Sequence, residues 1–137
     1  MRIEKIEIGG FGQFNGAHLS PVPGLTVVRG PNEAGKTTLL AFTRAMLCGV
    51  ETHRYPARNG GKRGGWLDVV MADGRALRIE RYGERGGEGK LRVIENDKDL
   101  GPGHLAAVLQ GVETSVYQNI FAFGLGELTR FETLKDD

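Results

Sequence analysis

Eight residues, Gly30-Pro31-Asn32-Glu33-Ala34-Gly35-Lys36-Thr37, constrain this chain more than any other feature. They fit the pattern Gly-x-x-x-x-Gly-Lys-Thr and stand between two segments of opposite character. Before them, Leu25-Thr26-Val27-Val28-Arg29 is short, apolar and β-branched, which reads as a buried strand. After them, Leu39, Leu40, Thr43, Met46 and Leu47 make an apolar stripe at helical spacing, and Gly49 is the expected stop. Strand, glycine-bounded loop and helix in that order form a cradle for phosphate.

The chemistry follows from residue type. Glycine at both ends lets the backbone curl so that several N–H groups face inward, toward anionic oxygen. The helix N-terminus adds partial positive charge at the same place. On this reading Asn32, Glu33, Ala34, Gly35, Lys36, Thr37 and Thr38 bind the nucleotide. Lys36 reaches the β- and γ-phosphates as a point charge and carries the catalytic role. The Thr37 hydroxyl is a hard oxygen ligand for Mg²⁺, and Thr38 contacts the α-phosphate or caps the first turn. The expected cofactors are ATP and Mg²⁺.

The rest of the chain is organised around this loop. A first strand is expected over 2–8, where Ile3, Ile6 and Ile8 fall near alternate positions, with Gly9-Gly10-Phe11-Gly12 interrupting it. A second extended piece over 14–19 ends at Ser20-Pro21-Val22-Pro23-Gly24. Residues 51–65 lack periodicity and read as a loop. Segments 66–71 and 75–82 flank Ala72-Asp73-Gly74, a hairpin signal, and a further strand is expected over 90–95. Segments 104–110 and 114–121 read as helices, and the polar, acidic end from 124 does not close a domain. The 137 residues suit one compact domain, and 22 glycines suggest short strands joined by tight loops.

A single cysteine, Cys48, excludes an internal disulfide and a Cys-rich zinc site, and a reducing, cytoplasmic setting fits it. No apolar stretch approaches the roughly 20 residues that cross a bilayer, and the N-terminus has no secretory pattern. No membrane role is expected. A net charge of +1 is no signature of a nucleic-acid binder, so such a role would need a local patch. One exists in sequence: Arg54, Arg58, Lys62 and Arg63 form a basic loop with no carboxylate between them. It either grips phosphate of DNA or ATP, or is a solvated loop. His18, His53 and His104 stand far apart with no carboxylate or cysteine at ligand spacing, so no metal site is expected from them.

The segment Gly30-Pro31-Asn32-Glu33-Ala34-Gly35-Lys36-Thr37-Thr38-Leu39-Leu40 resembles the P-loop of SMC-like and SbcC-like ATPases of the ABC superfamily. Its Glu33 form is most similar to the YhaN group. Gly10-Phe11-Gly12-Gln13-Phe14 and Ile120-Phe121-Ala122-Phe123-Gly124-Leu125-Gly126-Glu127-Leu128 extend the resemblance over nearly the whole chain. It implies an α/β fold: residues 1–137 as the N-terminal lobe of an ATPase head, a mixed β-sheet packed around the P-loop helix. A coiled coil and a C-terminal lobe would follow elsewhere in a larger protein. The implied partners are that C-terminal lobe, a second head in an ATP-dependent homodimer, DNA, and an SbcD-like metallophosphoesterase nuclease. The implied role is DNA repair or chromosome maintenance, with ATP binding and hydrolysis coupled to head dimerisation. The signature motif, the Asp-Glu strand and the switch histidine of such heads are not in this sequence, so this chain alone should hydrolyse ATP negligibly.

The resemblance also sets secondary candidates. Leu125 falls where the family's Q-loop places glutamine, so Glu127 either substitutes as a catalytic carboxylate or is a helix-start residue. Gln118 is the other nearby amide. Gln13 is a candidate for hydrogen bonding ribose or base, and Phe14 for stacking or for the core. Gly12 stands where several relatives carry a basic residue. Competing readings are an ABC transporter nucleotide-binding subunit and a non-hydrolysing, ATP-clamped DNA-binding module. A small P-loop GTPase is disfavoured by the lack of an Asn-Lys-x-Asp motif.

Overall fold

A computed structural model describes residues 1–49, 54–83, 89–117 and 124. Its elements are β1 (Arg2–Phe11), β2 (Phe14–Leu19), α1 (Lys36–Cys48), β3 (Gly64–Val70), β4 (Ala76–Tyr82), β5 (Lys90–Glu95), β6 (Lys98–Asp99), α2 (His104–Val108) and α3 (Thr114–Val116). The six strands form one sheet in the order β2-β1-β3-β4-β5-β6. All five pairings are antiparallel, so the expected mixed sheet is corrected to an antiparallel one. For β1–β2, β3–β4 and β5–β6 the reason is connectivity, since strands joined by short turns return beside their predecessors and cannot run parallel.

One face of the sheet carries the core. Ile6 and Ile8 of β1, Leu67 and Val69 of β3, Leu77 and Ile79 of β4 and Val93 of β5 are buried, alternating with less buried neighbours along each strand. Helix α1 lies on this face and buries Phe42, Ala45, Met46 and Leu47. The expected helical stripe is thus turned by part of a turn: Phe42 and Ala45 face the sheet, while Leu40 and Thr43 are half-exposed. Gly49 ends the helix at φ 99°, where its N–H bonds Ala45 O.

The opposite face is a charged ladder. Arg78 forks onto Asp68 at 2.7 and 3.0 Å, and Arg92 bridges Glu80 at 3.1 Å and Asp99 at 3.0 Å. The Asp68 carboxylate holds the Arg78 guanidinium above its ordinary pKa. Trp66 lies beneath Arg78, whose guanidinium carbon is 4.8 Å from the ring centre.

Of the differences from the sequence reading, three change the picture most. β1 runs on through Gly9 and Gly10 instead of stopping before them. A Cβ on Gly9 would stand 2.8 Å from Lys62 O, and one on Gly10 would stand 2.9 Å from Ala57 Cβ. These glycines are absent side chains under a crossing loop, not a turn. β6 was not expected: Asn96 and Asp97 take φ 48° and 61°, the left-handed pair of a tight hairpin. The largest difference concerns residues 25–29, which belong to no strand. Leu25 is 87% exposed, Val27 68% and Val28 46%, so the expected buried strand is an extended, solvent-facing segment. No helix among the described residues is long and apolar enough to cross a membrane.

Candidate nucleotide-binding site

The loop between the exposed segment and α1 is curled back on itself. The Ala34 N–H bonds Pro31 O at 3.2 Å, closing the turn. Gly35 sits at the N-cap of α1 with φ 101°, a conformation that costs an L side chain about 1–2 kcal/mol. No side chain caps this end of the 13-residue helix, and its first turn carries no acidic residue. The helix N-terminus therefore keeps its N–H groups and partial positive charge for an external anion.

The Lys36 ammonium lies at the mouth of this curl, donating to Gly30 O and to Pro31 O, the latter at 2.8 Å. An open depression bordered by Val28, Arg29, Gly30 and Lys36 adjoins it. Residues 31–34, Lys36 and Thr37 are exposed, whereas Gly35 is buried. An uncapped helix N-terminus, one ammonium and one hydroxyl match the needs of a polyphosphate with its divalent cation. Among the described residues no group of three or more His, Cys, Asp or Glu could hold a metal. Thr37 is exposed, and its hydroxyl is of the hard oxygen type that divalent cations take.

The turn between β1 and β2 presses on the loop from below. A Cβ on Gly35 would stand 2.5 Å from Phe14 Cζ and 2.9 Å from Gln13 Nε2. Gln13 Nε2 donates to Glu33 O at 3.2 Å, so the side chain expected at the ribose or base holds the loop's main chain. The Phe14 ring is partly buried against the core and backs Gly35. A Cβ at Gly12 would stand 3.0 Å from Thr38 Cγ2, a tight approach, and Gly12 takes φ 55°, so any side chain there is strained.

The basic loop is ordered against this same turn. Tyr55 stacks on Phe11 with ring centres 4.9 Å apart and planes 16° apart, and Phe11 meets Phe42 edge-on at 5.3 Å. The Arg58 N–H bonds Gly12 O at 3.1 Å. Asn59 Nδ2 donates to Gln13 O at 2.8 Å, and Asn15 Nδ2 donates to Asn59 O at 2.8 Å. Lys62 sits 4.5 Å over the Tyr82 ring. Arg54, Arg58 and Lys62 remain exposed, and Arg63 is half-buried. Sequence reasoning missed Asn15, Tyr55 and Asn59: Asn59-Gly60-Gly61 reads only as a turn, and nothing local announces its contact 44 residues away. Glu127, Leu125 and Gln118 lie outside the described residues, as does His53.

Known proteins share this arrangement's sequence. The family model described as AAA domain matches residues 1–130. The chain is also 34% identical over 140 residues to the protein YhaN of Bacillus subtilis (strain 168), across 96% of this chain and 14% of that protein. It therefore spans about one seventh of the length of that curated relative. A match over nearly every residue, the glycine-bounded loop at 30–37 included, places the chain in the AAA domain family.

Proposed function

We propose that this chain is the ATP-binding half of an SMC-like or SbcC-like ATPase head, completed by a C-terminal lobe elsewhere in a larger polypeptide. The observation that carries the reading is the exposure of Leu25, Val27 and Val28 directly before the P-loop. An apolar, β-branched segment facing water is costly, at about 25 cal/mol per Å² of apolar surface. In the complete head this segment becomes an inner strand, paired by the returning lobe. A groove of about 220 Å³ along it, lined by Ile8, Phe14, Leu19, Val28 and Leu39, is the matching space.

Each residue has one role in this reading. Lys36 neutralises the β- and γ-phosphates, Thr37 ligates Mg²⁺, and the 32–38 backbone holds phosphate oxygens. Bound Mg-ATP supplies the phosphoanhydride whose cleavage drives the head. Glu127 is the carboxylate assigned to the attacking water, acting with groups of the second lobe. A second head covers the γ-phosphate, so that ATP binding closes a homodimer. The basic loop 54–63, hydrogen-bonded to the β1–β2 turn that backs the P-loop, is the surface assigned to DNA phosphates, in DNA repair or chromosome maintenance. An SbcD-like nuclease is the corresponding partner.

Titration calorimetry and thermal melts with Mg-ATP test the site. The chain should bind Mg-ATP and gain about 2.7 kcal/mol of stability at a hundredfold excess over Kd. Lys36→Ala should lose most of both. Turnover by the chain alone should stay at background, and robust turnover abolished by Lys36→Ala would refute the half-head.

A further inference from the structure

Gln13, Asn59 and Asn15 form a chain of side-chain amides that ends on the P-loop, and nothing in the nucleotide reading uses it. Glu33 takes φ 67°, a left-handed backbone that L-residues other than Asn, Asp and His seldom adopt. Its carbonyl receives the Gln13 amide at 3.2 Å. In a trans peptide the carbonyl of one residue and the N–H of the next point in opposite directions. With Glu33 O turned toward Gln13, the Ala34 N–H must point away from it. That N–H faces the inside of the curl, at Pro31 O, where the Lys36 ammonium also lies. The Gln13 main chain is itself held, because Asn59 Nδ2 donates to Gln13 O at 2.8 Å. Asn15 Nδ2 closes the set on Asn59 O, also at 2.8 Å. Carbonyl acceptors at every step require the amide nitrogen on the donor side.

We propose that Gln13 is a positioning residue for phosphate: it fixes the peptide plane between Glu33 and Ala34, and with it the Ala34 N–H to Pro31 O bond that closes the loop into a phosphate cradle, with Asn59 holding Gln13 in place. This rests on the nucleotide reading above and changes the role of Gln13 within it. The side chain acts through the loop's backbone and touches neither ribose nor base.

Gln13→Met tests this, since methionine keeps the length of the side chain without the donor, and Gln13 is exposed and tolerates the change. Binding of Mg-ATP and of inorganic tripolyphosphate with Mg²⁺ is measured by calorimetry for the chain, Gln13→Met, Asn59→Ala and the double variant. Loss of one aligned hydrogen bond should weaken both ligands equally, about five- to tenfold, with the unliganded melting midpoint unchanged. Asn59→Ala should weaken both by less, and the double variant should be no weaker than Gln13→Met, because the two act in series. Loss for Mg-ATP alone would mean contact with base or ribose and overturn the proposal. So would no loss for either ligand, or a loss that comes with a lower unliganded midpoint. If the unaltered chain binds neither ligand while Lys36→Ala makes no difference, the nucleotide reading fails, and the proposal with it.

Discussion

Gly35 shows how one residue can be demanded twice. Its φ of 101° excludes most side chains, and a Cβ would stand 2.5 Å from the Phe14 ring and 2.9 Å from the Gln13 amide. Gly16 makes a control, with φ 69° and nothing within 4 Å of its Cβ position. Gly16→Ala should cost only the left-handed backbone, about 1–2 kcal/mol. Gly35→Ala should cost more, roughly 3 kcal/mol, because Phe14 and the loop must also move. Chemical denaturation of the two variants gives the difference, and equal costs would mean that the turn under the P-loop yields freely. Gly35→Ala should also abolish nucleotide binding, since the loop's N–H groups leave register with the helix tip.

At the scale of elements, α1 couples the site to the sheet. Phe42 is fully buried and meets Phe11, which in turn stacks on Tyr55 of the basic loop. The helix that follows the glycine-bounded loop is therefore linked, through Phe11 of β1, to Tyr55 of the basic loop. Phe42→Ala should destabilise the chain by about 3–5 kcal/mol. Leu40→Ala, on the half-exposed side, should cost under about 1.5 kcal/mol, and thermal or denaturant melts separate the two. The sequence stripe placed Leu40 among the core residues and left out Phe42. The helix itself was legible from its spacing. Its rotation was not, because Leu40 and Phe42 are both apolar, and only the sheet opposite decides which one is covered.

For the whole molecule the decisive feature is the segment 25–29. Its composition is that of an inner strand, yet Leu25 is 87% exposed and no strand among the described residues pairs with it. If a second lobe completes the sheet, backbone amides of 25–29 should exchange hydrogen at nearly unprotected rates in this chain alone. They should become strongly protected in a longer polypeptide that carries the C-terminal lobe. Hydrogen exchange read by mass spectrometry checks this, and protection that does not change would remove the half-head from consideration. The inner strands β1, β3, β4 and β5 should be equally protected in both, since each is already paired on both sides.

The sequence by itself determined the glycine-bounded loop, the helix that follows it, its glycine stop and the positions of most strands, though not their antiparallel pairing. These are local matters: φ freedom at glycine, 3.6- and 2-residue periodicity, and turn chemistry at Ala72-Asp73-Gly74. The tertiary structure alone decided that Gly9 and Gly10 lie under a crossing loop, that the basic loop is held by Tyr55 and Asn59, and that Gln13 grips the P-loop backbone. Each of these depends on which surfaces meet across tens of residues. A periodicity records which residue types suit an element, but only packing sets what that element touches.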